Sequence, residues 1–310
     1  MSGAGSGGNG EPGRTAAAAG VSVPAAAFDA AAQASVDEDL PPAGDGRPTV
    51  DPTSAWAGDV GVEVAIVCRE EAVVCGMAGL EPVLHAAAAR LGMRPSWRLD
   101  VHARDGDRVG RPGSVLCTLQ GSARIVLAAE RPMLNMLGHL SGVATLTDRF
   151  VRAVQGSGAV VRDTRKTTPG LRQLEKYAVR CGGGANHRMG LYDALLVKDN
   201  HIALAGSLAE AVDRARAGSP DLPLEVEVDS LEQLQEALAV GCDLVLLDNM
   251  TAEQTGRAVA LAAGIARTEA SGRVTLHNVA DVAATGVDFI AVGALTHSAP
   301  SVDVGLDWRR

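Results

Sequence analysis

The chain has 310 residues, 46% of them hydrophobic and 21% charged, and a formal net charge of −9. That much apolar side chain buries a large core, enough for one barrel plus a smaller domain, and excludes a disordered or fibrous protein. The acidic balance excludes a nucleic-acid surface, which needs a basic footprint, and no run reaches the roughly 18 apolar residues of a membrane span.

Residues 1–25 are dominated by Gly, Ala, Ser and Pro, too poor in bulky apolar side chains to offset the entropy of ordering, and are predicted to be a disordered tail. AAFDAAAQASVDEDL then makes a short helix and opens a domain over 26–144. Within it, VGVEVAIVCREEAVVCG alternates as two strands, GLEPVLHAAAARLG is a helix closed by Gly92, and WRLDVHARDGDRVGRPGSVLCTLQG holds two or three more strands around Asp-Gly and Pro-Gly turns. This is a small α+β domain whose His85 and His102 are packing or surface histidines. A long helical region from Ala123 connects it to the second half of the chain, with Pro132 and Ser141-Gly142 as places for a bend and Arg131 at the start of RPMLN.

From 145 to 300 the chain repeats strand then helix, and 301–310 form a C-terminal segment. AVVRDTRK, DALLVKDN, LEVEVDS, DLVLLDN, IARTEASG and DFIAVGAL supply the strands, and Ser207 to Glu210, Ser230 to Gln233 and Thr251 to Gln254 have the capping-box spacing of helix starts. Gly218 and Gly241 mark helix ends. Such alternation means a parallel sheet, open or closed. Each apolar run is followed by a polar or glycine residue that a site would use: Arg165 and Lys166, Lys198, Asp229 with Glu227 before it, Asp248 and Asn249, Ser271 and Gly272, and Gly293. In a barrel these ends converge on one rim, whereas the outermost ends of an open sheet lie too far apart to share a ligand, so the pattern favours the barrel.

The stretch from Asp163 to His201 concentrates positive charge in an acidic chain. Arg172, Lys176 and Arg180 are spaced by four and are expected to form one solvated helix stripe. Arg165, Lys166, His187, Arg188 and Lys198 lie among small, apolar or glycine-rich residues with few acids beside them, which is the pattern of an anion site. The GGG at 182–184 follows a helix rather than a strand and is not a dinucleotide loop. Cys68, Cys75, Cys117, Cys181 and Cys242 are odd in number and fit neither a CxxC pair nor a zinc spacing, so a reduced, cytoplasmic protein with buried free thiols is expected.

DTRKTTPGLRQLEKYAV, GGGANHRMGL and KDNH closely resemble the signature of the quinolinate phosphoribosyltransferase family. The resemblance continues through RPMLNMLGHLSGVAT, EVEV, LLDNM, EASG and VGALTHS and covers about 55–307. It implies an incomplete, seven-stranded-type α/β barrel with an N-terminal open-faced sandwich domain, and transfer of phosphoribose from phosphoribosyl pyrophosphate to quinolinate with loss of CO2. It further implies that Arg131, Thr164, Arg165, His187, Arg188 and Lys198 bind quinolinate, Arg131 coming from the neighbouring subunit of a homodimer open to further assembly. Lys166, Glu227 and Asp248 would be catalytic and bind phosphoribosyl pyrophosphate. Ser271, Gly272, Gly293 and His297 would take its 5′-phosphate, and Glu227 and Asp248 would hold Mg²⁺, directly or through water. A relative acting on another carboxylated base such as nicotinate, or an idle barrel that only binds, are the alternatives. The family pattern before Ala55 is stretched here into LPPAGDGRPTVDPTS, and Arg273 stands where many relatives carry a small or amide residue.

Overall fold

The computed structural model describes residues 13–14, 21–44, 49–58 and 60–309. The chain divides into two compact units, Met1–Gly142 with Ser301–Arg310, and Val143–Pro300. The expected division at 144/145 thus falls two residues earlier, and the C-terminal segment belongs to the first unit. Most of the predicted tail lies outside the described residues. Within it, Gly13–Arg14 (β1) pairs with a strand of the first unit.

The first unit continues with α1 (Ala25–Asp39), β2 (Gly61–Cys68), β3 (Ala72–Val73), α2 (Leu80–Arg90), β4 (Trp97–Val101), β5 (Asp107–Val109), β6 (Ser114–Ser122) and the first two-thirds of α3 (Ala123–Ala153). Phe28, Ala32 and Val36 recur every fourth residue of α1 and are buried, as are Leu80, Val83, Leu84 and Ala87 of α2. These stripes share a core with Val64 and Ile66 of β2, Leu119 of β6 and Met133 and Leu137 of α3. His85 stacks edge-on against Trp97, and His102 bonds Thr118 Oγ1 at 3.1 Å; both are exposed, so they are surface histidines with local packing contacts, within the expectation. No break occurs in α3 at Pro132 or Ser141-Gly142. The Ser141 hydroxyl is turned outward from its own helix, accepting from Cys75 N at 3.0 Å and donating to Cys75 O.

The second unit holds β7 (Val160–Arg162), α4 (Arg172–Cys181), β8 (Leu195–Val197), α5 (Asp199–Ala205), α6 (Leu208–Gly218), β9 (Leu224–Val228), α7 (Leu231–Ala239), β10 (Leu244–Asp248), α8 (Ala252–Ala262), β11 (Arg267–Ser271), α9 (Val279–Ala284), β12 (Phe289–Ala291) and α10 (Ala294–His297). All six predicted strands form. Ser207, Ser230 and Thr251 each accept the backbone N–H three residues on, though only Thr251 and Gln254 complete the reciprocal box. The last strand, β13 (Val304–Trp308), returns to the first unit. There the sheets run β13-β2-β6-β4 and β1-β5-β3, while the second unit has the parallel order β7-β12-β11-β10-β9-β8.

A parallel bridge from Arg162 to Ala185 adds a seventh, one-residue position beside β7. Val226 and Val228 of β9 and Val245 and Leu247 of β10 join the layer packed on α6 to α8, so Glu225, Glu227 and Asp248 take the opposite face. That face is a closed interior. His187, two residues past the Ala185 bridge, lies 2.8 Å from Glu225 of β9. In a flat sheet the five intervening strand spacings would separate them by about 24 Å, so the sheet curls round on itself. The glycines at 182–184 serve packing: a Cβ at Gly182 would meet Ala144 O at 2.3 Å and one at Gly184 would meet Thr147 at 2.8 Å, so this turn lies hard against α3.

Candidate active site

The parallel register sets the C-terminal strand ends side by side: Leu246 pairs with both Glu227 and Glu269, and Asp248 with Ser271. Past β7, the Thr164 hydroxyl accepts from Lys166 N at 3.0 Å and tightens the turn that presents Arg165 and Lys166. Thr296 Oγ1 donates to Lys166 O at 2.7 Å and ties this turn to the one after β12. Gly293 keeps this corner open, since a Cβ would lie 3.2 Å from His297 Nε2 and 3.3 Å from Lys166 Cδ and one of those side chains would have to shift. At Gly272, with φ +88°, a Cβ would lie 2.3 Å from Asn249 Oδ1, and Asn249 N donates to Ser271 O at 2.9 Å. Asp248, Asn249, Ser271 and Gly272 are therefore one interlocked corner. Asn249 and Arg273 both have positive φ, 55° and 49°; asparagine tolerates this, while for arginine it costs on the order of 1 kcal/mol.

Arg165 and Arg188 form the positive pole. Both are partly buried, and the Nε–H of each is enclosed with no acceptor among the described residues. Burial first, and the Arg165 charge second, push Arg188 below the usual guanidinium range. Arg188 Nη1 donates to Ala194 O at 3.0 Å, which fixes one side of its plane. Two like-charged forks held together with unused donors suit a carboxylate-bearing anion. On the other side Lys198 is ion-paired with Glu227, whose side chain is 20% exposed, and Asp248 Oδ2 accepts from Asn249 Nδ2 at 2.7 Å. Glu227 and Asp248 offer hard carboxylate oxygens on neighbouring strands with solvent access, a donor set that fits Mg²⁺ with part of its water shell.

Below the rim lies a polar floor that the apolar appearance of the strands conceals. His187 Nε2 lies 2.8 Å from Glu225 Oε2 and 3.5 Å from Glu269 Oε1, and its Nδ1 accepts from Arg188 N at 2.7 Å. Arg162 Nη1 donates to Glu269 Oε2 at 2.5 Å and its guanidinium lies over the Phe289 ring. Burial, then the neighbouring Glu225 charge, raise Glu269 to about 7 against the opposing pull of Arg162 and His187. The ring of His187 is thus engaged with the floor, beneath Arg188.

The expected solvated stripe on α4 does not form. Lys176 is fully buried, and Arg172 donates to Thr167 Oγ1, Met189 O and Arg165 O at 3.0–3.3 Å. Spacing by four identified one helix face correctly, but that face turns inward onto the Arg165 and His187 loops, where backbone carbonyls need donors. Arg131 is exposed on α3 in the first unit, as the ninth residue of the helix. Among the residues missed from sequence are Arg162, Asp163, Asn186, Glu225 and Glu269; for Glu225 and Glu269 the signal is charge at every second position of a strand, as in LEVEV and RTEAS.

A barrel rim with this charge pattern belongs to an enzyme class that handles small, multiply charged anions. The chain is a member of the quinolinate phosphoribosyl transferase family, matching its N-terminal domain over residues 51–141 and its C-terminal domain over 143–307. It is 49% identical over 254 residues to the nicotinate-nucleotide pyrophosphorylase [carboxylating] of Mycobacterium leprae, covering 81% of this chain and 87% of that one. A probable enzyme of the same name from Bacillus subtilis is 41% identical, covering 81% and 84%. Among solved structures, the nicotinate-nucleotide pyrophosphorylase from Francisella tularensis superposes with a TM-score of 0.85 at 36% identity, covering 93% of this chain and 98% of that one.

Proposed function

We propose that this protein transfers the phosphoribosyl group of phosphoribosyl pyrophosphate to the ring nitrogen of quinolinate and releases CO2 and pyrophosphate, leaving nicotinate mononucleotide for NAD synthesis. The observation that carries the reading is the Arg165–Arg188 pair, two partly buried guanidinium groups close enough for the charge of Arg165 to lower Arg188. A dicarboxylate has the charge and planar oxygens to meet two guanidinium planes, and Lys198 and Thr164 complete the cradle on this chain. His187 supports the cradle through Arg188 N rather than by its own charge.

Lys166, beside Gly293 and His297, serves the pyrophosphate, and Ser271, Gly272, Gly293 and His297 take the 5′-phosphate in the small-residue turns after the last two strands. Attack by the pyridine nitrogen on the anomeric carbon passes through a cation-like ribose, which the carboxylates of Glu227 and Asp248 stabilise. Before substrate binds, the Lys198–Glu227 ion pair keeps both charges neutralised; quinolinate draws Lys198 to its carboxylate and frees Glu227 for the ribose. Mg²⁺, held by Glu227 and Asp248, would neutralise the leaving pyrophosphate. The nitrogen made quaternary by the transfer stabilises the carbanion left when the adjacent carboxylate departs as CO2; that carbon then takes a proton from water, so no covalent enzyme intermediate is needed. Arg131 completes the quinolinate site of a second copy, giving a homodimer with shared sites. The five cysteines, all buried and none in a disulfide, support a cytoplasmic setting.

Purified protein with quinolinate, phosphoribosyl pyrophosphate and Mg²⁺ tests this reading by trapping CO2 and measuring pyrophosphate. Equimolar release of both is expected. Pyrophosphate release with nicotinate alone, or binding without turnover, would overturn it.

A further inference from the structure

We propose that the buried ion pair of Asp163 and Lys176, together with Asn186, is a positioning device that sets the two halves of the anion cradle against each other; this rests on the functional reading above. Asp163 immediately precedes Thr164, Arg165 and Lys166. Its side chain and that of Lys176 are both 0% exposed. Asp163 Oδ1 accepts from Lys176 Nζ and from His187 N, the latter at 2.9 Å, and Oδ2 accepts from Asn186 Nδ2 at 2.5 Å. Lys176 Nζ also donates to His187 O at 3.1 Å, and Asn186 Nδ2 to Lys176 O at 2.8 Å. Both backbone polar groups of His187, the residue before Arg188, are therefore held by one ion pair whose acid is joined directly to the Thr164–Lys166 turn.

Stability alone does not account for this choice of residues. Burying both charges works against each of them: desolvation raises the Asp163 carboxyl and lowers the Lys176 ammonium, and their mutual attraction and hydrogen bonds oppose that loss. An apolar pair of similar volume is often as stable or more so in such a place. What an apolar pair lacks is a way to grip His187 N and O. Asp163 takes three donors on two oxygens, the pattern of a carboxylate rather than of a neutral acid, which would need an acceptor for its own proton. The pair reaches neither the rim nor a substrate; it acts through Arg165 and Arg188, and a misplacement of either by about 1 Å is enough to cost about a hundredfold in rate.

The test separates positioning from plain structural support. Lys176→Met, the double variant Asp163→Val with Lys176→Met, and Asn186→Ala are compared with wild type for Tm, kcat and the KM of each substrate. Lys176→Met is expected to lower Tm and to reduce kcat/KM for quinolinate about a hundredfold. The double variant should recover Tm to within a few degrees while quinolinate kcat/KM stays down by about thirtyfold or more, because stability returns without the grip on His187. Asn186→Ala keeps the ion pair but removes one donor from Asp163 Oδ2, and is expected to raise quinolinate KM about tenfold while lowering Tm less than Lys176→Met does. If the double variant regains both Tm and a kcat/KM within about threefold of wild type, the pair is only structural and the inference falls. If the double variant does not recover Tm, Asn186→Ala decides, and an unchanged quinolinate KM overturns the inference. Wild type that fails to release CO2 defeats the functional reading instead; the same comparison is then made by calorimetry with inorganic pyrophosphate, and equal binding by all four proteins overturns the inference.

Discussion

Glu269→Gln should make the protein more stable than wild type in mild alkali while leaving it close to wild type in mild acid. Glu269 is fully buried on β11 and faced by Arg162 of β7, Glu225 of β9 and His187 from the turn past the Ala185 bridge. Burial is the largest cause of its raised affinity for the proton, from 4.5 to about 7. Between those values the folded chain binds more protons than the unfolded one, so this group's contribution is fully present below about pH 4.5 and is lost as pH rises through about 7. At ~1.4 kcal/mol per tenfold change in proton affinity, that rise corresponds to about 3 kcal/mol. Glutamine keeps the shape and an oxygen for Arg162 Nη1 but cannot ionise. Urea unfolding at about pH 5 and about pH 8 should therefore show the stability difference between variant and wild type moving by about 2–3 kcal/mol in the variant's favour. Parallel stability curves across that range would refute the reasoning, since they would mean Glu269 is ionised throughout.

Lys198→Ala is expected to raise the quinolinate KM about tenfold or more and that of phosphoribosyl pyrophosphate much less, read from steady-state kinetics; equal losses would remove Lys198 from the cradle. Removal of Mg²⁺ by a chelator should abolish turnover and restore it on readdition, with quinolinate binding by calorimetry largely retained because the guanidinium pair does not depend on the ion. Mixing Arg131→Ala with Lys166→Ala protein under conditions of subunit exchange should restore activity to about a quarter of wild type, because half the dimers are mixed and each has one intact site of two. No recovery in demonstrably exchanged protein would mean that Arg131 does not act across subunits.

The strands and helix starts were legible because local chemistry decides them. Ser207, Ser230 and Thr251 cap helices whatever the rest of the chain does, and Gly92, Gly241 and Gly272 adopt the positive φ that their turns require. The rim was legible for a related reason: Lys198, Asp248 and Ser271 stand at or just past the ends of their strands, and parallel strands in sequence order bring such ends together. The interior was not. Glu225 and Glu269 meet His187, and Glu269 meets Arg162, across a sheet that has curled, so no window of sequence contains the partners. Lys176 failed as a surface residue for the same reason, since its acid lies thirteen positions earlier on a different element.

The return of β13 to the first unit has a consequence for how the chain is made. Trp308 to Val304 pair antiparallel with Val64 to Cys68, a contact across about 240 residues that encloses the whole barrel in one loop. During synthesis the edge of β2 has no strand to bond on that side until residue 308 has left the ribosome, by which time the barrel sequence is already outside and free to fold. An exposed edge of alternating Val and Ile residues is a template for pairing with other chains. The smaller domain, although made first, is completed last, and the interval before β13 arrives is when nascent chains are most exposed to joining each other through β2.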